Sequence, residues 1–204
     1  MTDGTGTTRY NFVPITGGAS PGAGQFAIVD GPLPNDTIMY GYDARGRRVS
    51  TAINSVVSSV AFDAIGRTTG ATNALGQFGY TYDGASFRET SLTYPNGLTA
   101  AMVYEGILQD QRLQKISNKL GITPISEFIY GHDVPTGRIT SWSQQAGATA
   151  PSVFSLAYDA VNQLTRATVT NAGALVNVFA YSYDPVGNRS TERLDATTNT
   201  TSYN

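Results

Sequence analysis

The chain has 204 residues, 40% of them hydrophobic, which is enough to bury a sizeable core, yet charged residues make up only 14% against about 25% in an average globular chain. Thirteen basic residues face 15 acidic ones, a net charge of −2, so there is no basic field to hold nucleic acid or an anionic membrane surface. There are no cysteines, which excludes disulfides, thiolate metal sites and a cysteine nucleophile, and the single His132 cannot make a multi-histidine metal site.

No apolar run reaches the ~18 residues that a membrane-spanning helix needs. The start, Met1-Thr2-Asp3-Gly4, has no basic-then-apolar leader. With 22 glycines and 12 tyrosines, the composition favours strands and tight turns.

Residues 1–36 read as a Gly/Pro-rich N-terminal segment with short strands, an irregular repeat. The apolar islands are Tyr10, Phe12, Val13 and Ile15, then Phe26, Ile28 and Val29, with a loop from Gly17 to Gly24 between them. Disorder is the alternative for so short a set of islands.

From Thr37 the pattern becomes regular, and residues 37–204 read as one repeat sheet. Ile38, Tyr40 and Tyr42 alternate with the period of two that marks a strand. Asp43-Ala44-Arg45-Gly46 then reverses the chain. An Asp at the first turn position accepts a hydrogen bond from the N–H two residues on, and Gly at the fourth takes the positive φ of a type I turn with a bulge. Arg47 opens the return strand.

The same arrangement recurs at Phe62-Asp63-Ala64-Ile65-Gly66-Arg67, at Tyr82-Asp83-Gly84, at Asp133 with Gly137 and Arg138, at Tyr158-Asp159 with Asn162 in the glycine position, and at Tyr183-Asp184-Pro185-Val186-Gly187-Asn188-Arg189. Glu105 after Tyr104 is a degenerate copy. Asp43, Asp63 and Asp83 lie 20 residues apart, a length that fits two strands of ~8 residues with their turns. Asn73-Ala74-Leu75-Gly76 and Asn96-Gly97 supply minor turns in between, so the turns alternate between the two margins of a winding antiparallel meander. Residues 105–121 also carry apolar residues at partly helical spacing, which leaves a short helix as an alternative there.

Tyr-Asp-x-x-Gly-Arg repeated every twenty-odd residues resembles the YD repeats of Rhs proteins, which also occur in insecticidal toxin complexes and teneurins. The resemblance covers about residues 36–204. It implies an all-β fold, a repetitive antiparallel β-hairpin meander forming part of a spiralling YD-repeat sheet or shell. It also implies that 204 residues are part of a longer chain, cut mid-repeat at Thr201-Ser202-Tyr203-Asn204. The function so implied is a non-catalytic structural shell segment that encloses or displays a C-terminal toxin or effector domain. The alternative is a bacterial cell-surface adhesin or fibre segment binding glycans or partner proteins. The expected location is secreted or at the cell surface, and the expected partners are the rest of its own chain, an encapsulated effector and further copies added through sheet edges.

No cofactor or metal is expected. Because Asp43, Asp63, Asp83, Asp159 and Asp184 sit in the same turn context, they read as turn formers rather than as a converging catalytic pair. The Rhs family has a self-cleavage segment containing Asp-Pro-x-Gly, and Asp184-Pro185-Val186-Gly187 matches it superficially, but its flanks are those of an ordinary repeat. Arg47, Arg67, Arg138 and Arg189 are expected to pair with a turn Asp or to stack on a neighbouring Tyr. The pairs Tyr40/Tyr42, Tyr80/Tyr82 and Tyr181/Tyr183 are expected to stack across adjacent strands. His132 is expected to take a strand tyrosine's place, and Trp142 to pack on the sheet.

Overall fold

A computed structural model describes residues 1–15, 20–195 and 197–200. It contains strands, turns and one 3-10 turn, Ile107–Gln109, among the described residues. The chain divides into two compact units, 1–96 and 97–204.

In the first unit, β1 (Thr2–Asp3) and β2 (Gly6–Thr7) form a small hairpin of their own. The remaining strands are β3 (Arg9–Phe12), β4 (Phe26–Asp30), β5 (Ile38–Tyr42), β6 (Arg48–Ile53), β7 (Val56–Phe62), β8 (Thr68–Asn73), β9 (Gly76–Tyr82) and β10 (Glu89–Thr93). Each is antiparallel to the next in sequence. The N-terminal apolar islands therefore become strands, and β4 pairs with β5 to continue the meander. Gly17, Gly18 and Ala19 of the expected loop lie outside the described residues, as do Thr201–Asn204.

The second unit repeats the plan with β11 (Leu98–Tyr104), β12 (Leu113–Leu120), β13 (Thr123–His132), β14 (Ile139–Ala146), β15 (Ser152–Tyr158), β16 (Leu164–Asn171), β17 (Ala174–Tyr183), β18 (Arg189–Leu194) and β19 (Thr197–Thr200). Again each strand pairs antiparallel with its successor. The helix considered for 105–121 is limited to that 3-10 turn, and the rest becomes β12. Alternation decides it, because Lys115, Ser117 and Lys119 face one way and Ile116 and Asn118 the other, a period of two.

Register gives each unit two unlike faces. In the first, Val60, Ala71 and Phe78 stand in one cross-strand row, with Tyr80 opposite Leu92, whereas Ala61, Gly70, Gly79 and Thr93 form a row on the reverse. In the second, Tyr130, Trp142, Phe154 and Val169 form one row, and Gly131, Ser141, Ser155 and Thr168 form one on the other side. Apolar burial is shallow. Only Ala100, Ala167 and Val169 are buried hydrophobics among the described residues, all on the aromatic face. Lateral ladders and cross-strand pairs, at ~0.2–1 kcal/mol each for the side-chain part, thus carry much of the stability.

Candidate functional site

The Asp turns lie at one margin of each meander, and their geometry is nearly invariant. At Asp43 the backbone N–H donates to Arg47 O at 2.9 Å, and Gly46 N–H returns a bond to Asp43 O at 2.9 Å. The carboxylate closes the turn: Oδ1 accepts from the N–H of Arg45 (2.9 Å) and of Arg47 (3.0 Å), and Oδ2 accepts from Arg47 Nε at 2.7 Å. Asp63 repeats this with Ile65, Arg67 N–H and Arg67 Nε at 3.0, 2.9 and 2.6 Å. Gly46, Gly66, Gly137 and Gly187 have φ of 75, 95, 73 and 93°, the left-handed region where a Cβ costs ~1–2 kcal/mol. Asn162 takes that position at φ 70°.

The later turns vary the basic partner. Asp83 has one more residue in its loop and binds Arg88 Nη2 at 2.7 Å. Thr136 Oγ1 donates to Asp133, leaving Arg138 Nη2 at 3.6 Å. Asp159 is held by the N–H groups of Val161 (3.0 Å) and Gln163 (2.8 Å). Asp184 takes the amide of Asn188 at 3.0 Å, so Arg189 is not its partner. Arg189 lies 3.3 Å from Glu192 and its guanidinium sits 5.5 Å from the Tyr181 ring centre.

These contacts set the charge state of the turns. At Asp43 and Asp63 partial burial pushes the carboxyl up. The Arg47 N–H and guanidinium at Asp43, and the Arg67 guanidinium and N–H at Asp63, outweigh it and hold both below the usual range. The Thr136 hydroxyl lowers Asp133 and the Asn188 amide lowers Asp184. A general acid needs a raised carboxyl, and these four are held ionised. Among the described residues no group of three His, Asp or Glu is placed to hold a metal.

Two links between hairpins are invisible in the local motif. The tyrosine before the Asp donates its hydroxyl backwards to a carbonyl of the preceding hairpin: Tyr42 to Phe26 O (2.8 Å), Tyr82 to Thr68 O (2.7 Å), Tyr158 to Ile139 O (2.8 Å) and Tyr183 to Leu164 O (2.8 Å). Basic or amide side chains reach forwards to the next turn. Gln25 donates to Gly46 O (2.8 Å), Arg45 to Ala64 O (2.8 Å), Arg67 to Gly84 O (2.7 Å), Arg112 to Asp133 O (3.3 Å) and Arg138 to Asp159 O (3.3 Å).

Guanidinium groups also cover the next motif aromatic: Arg47 lies 4.3 Å from the Phe62 ring centre, Arg67 4.6 Å from Tyr82 and Arg138 5.2 Å from Tyr158. The expected tyrosine stack is therefore corrected. Motif tyrosines occur on every second strand, ~10 Å apart, too far to stack, and arginine fills the gap. His132 stands in the tyrosine position, and its Nδ1 lies 3.3 Å from Glu105 Oε1 of the preceding turn, both side chains largely buried. Trp142 stacks on Phe154 at 4.6 Å between ring centres and 18° between planes.

The RHS Repeat family model matches residues 62–99, the span that holds the Asp63 and Asp83 turns. No curated protein matches the sequence. Among solved structures, the chain is similar to one of the Photorhabdus luminescens Tc holotoxin pore, with TM-score 0.59 and 19% identity over 78% of this chain and 9% of that one. It is also similar to the crystal structures of TcdB2-TccC3-TEV, with TM-score 0.62 and 18% identity over 95% of this chain and 11% of that one, and of TcdB2-TccC3, with TM-score 0.61 and 18% identity over 93% and 12%. At this identity the likeness is one of fold, and the chain spans about a tenth of the length of the chains it matches. Residues 62–99 thus match an RHS repeat, and the sheet that contains them has the fold of these toxin-complex chains.

Proposed function

We propose that this chain is a non-catalytic wall segment of a larger YD-repeat shell, one that encloses or displays a C-terminal toxin or effector domain of its own longer chain. The observation that carries the reading is the interlocking of the turns. Successive turns are linked backwards through tyrosine and forwards through arginine or glutamine, so the wall stiffens as repeats are added and needs no second layer. The far greater length of the matched chains supports the idea that the shell is completed elsewhere. The TcdB2-TccC3 complexes suggest that such walls work with further components. A secreted or cell-surface location belongs to the same reading.

The test is limited proteolysis of the parent protein. The domain after the repeats should resist protease while the wall is folded and become sensitive when Arg67→Ala and Arg138→Ala loosen it. Equal sensitivity in both, or a parent with no such domain, would sink the reading. Self-association through sheet edges is a second part of the proposal, and a monodisperse monomer by light scattering at high concentration counts against it.

A further inference from the structure

We infer that the aromatic face of the second unit holds a binding site for a neutral sugar ring, at the margin remote from the Asp turns. A cavity of about 380 Å³ opens there, lined by Ser126 and Phe128 of β13, Gln144 of β14, Thr149, Ser152 of β15 and Asn171 of β16. That volume lies within the ~300–1,000 Å³ of small-molecule sites.

Register explains why these groups converge. Phe128 stands opposite Gln144, Gln144 opposite Ser152, and Ser152 opposite Asn171, so their side chains leave one face of four successive strands. Two residues along the same strands, Tyr130, Trp142 and Phe154 form the neighbouring row. An amide-and-hydroxyl row therefore borders an aromatic one.

The chemistry of the lining selects the ligand. It contains no ionisable side chain, so a phosphate, carboxylate or ammonium would lose water without gaining a countercharge. Amides and hydroxyls both donate and accept, which suits a ring of neutral hydroxyls. The apolar C–H face of that ring suits an aromatic side chain such as Phe128.

The site is also built in advance. Asn171 Nδ2 donates to Ser152 Oγ at 3.1 Å and to Ala150 O at 3.4 Å. Thr149 Oγ1 donates to Ala146 O at 2.6 Å, and Gly147 N–H to Ile125 O at 2.8 Å, fixing the loop that walls the cavity. Gln144 is exposed, and its amide is left free for a ligand.

Saturation-transfer NMR of the 204-residue chain with maltotriose, cellotriose and triacetylchitotriose, and with sialyllactose as the charged control, tests the site. At least one neutral probe should bind with Kd of about 1 mM, insensitive to salt, and Gln144→Ala or Asn171→Ala should weaken it roughly tenfold. Gln144→Ala should leave the circular dichroism melt unchanged, because the side chain is exposed and unbonded. The inference is overturned by no transfer from any neutral probe at about 10 mM, by binding that survives the double variant, or by preference for sialyllactose. It stands or falls independently of the enclosure reading, whose test reads a different part of the parent chain.

Discussion

At the scale of the residue, the turn is a division of labour. Asp supplies an acceptor pair for two N–H groups, Gly tolerates the positive φ, and the aromatic before them ties the hairpin to its predecessor. Gly66→Ala leaves its new methyl group at ordinary contact distance, 3.5 Å from Arg47, so its cost is the strained φ of 95° alone. Loss of about 1–2 kcal/mol is expected in urea unfolding. Tyr82→Phe deletes only the hydroxyl that bonds Thr68 O at 2.7 Å. It should lose about 0.5–1.5 kcal/mol, whereas Phe62, which lacks a hydroxyl naturally, should gain nothing comparable from Phe62→Tyr unless a carbonyl lies in reach.

Within an element, a hairpin and its neighbour share one arginine. Arg67 bonds Asp63, donates to the carbonyls of Gly84 and Ser86, and covers Tyr82. Arg67→Ala should therefore lose about 2 kcal/mol, well above the ~0.5 kcal/mol for Arg189→Ala, whose partner Glu192 is a half-exposed surface pair. Arg67→Lys should recover only part of that loss, because an ammonium cannot fork between a carboxylate and two carbonyls. Thermal melts of the three variants check the order.

The pH dependence also belongs to the hairpin. The carboxyls of Asp43 and Asp63 are lowered in the fold, so the stability they contribute is present above the unfolded value near ~4 and is lost as pH falls through the lower folded value. Asp63→Asn should weaken the fold at neutral pH and flatten its acid limb. Parallel acid limbs in variant and parent would show that another group titrates.

Within each unit, consecutive described strands pair with their sequence neighbours, so damage should stay local. Val169 is 7% exposed on the aromatic face of the second unit. Val169→Ala should cost about 1.5–2.5 kcal/mol, and native-state hydrogen exchange should show the loss mainly in residues 97–204. Uniform loss over both units would instead mark a single cooperative block.

The sequence by itself determined the all-β class, the order of the hairpins and the position of their turns. Those features rest on contacts within four or five residues: Asp43 meets the N–H groups of Arg45 and Arg47 whatever the rest of the chain does. Only the tertiary structure decided what lies between hairpins. The partner of the Tyr82 hydroxyl is 14 residues away and that of the Arg138 guanidinium is 21 away, distances that become contacts only once register is set. The tyrosine ladder read from the sequence failed for the same reason, since motif tyrosines fall on alternate strands. Likewise, Gln144 and Asn171 carry no shared motif, and only the pairing of four strands brings them to one cavity.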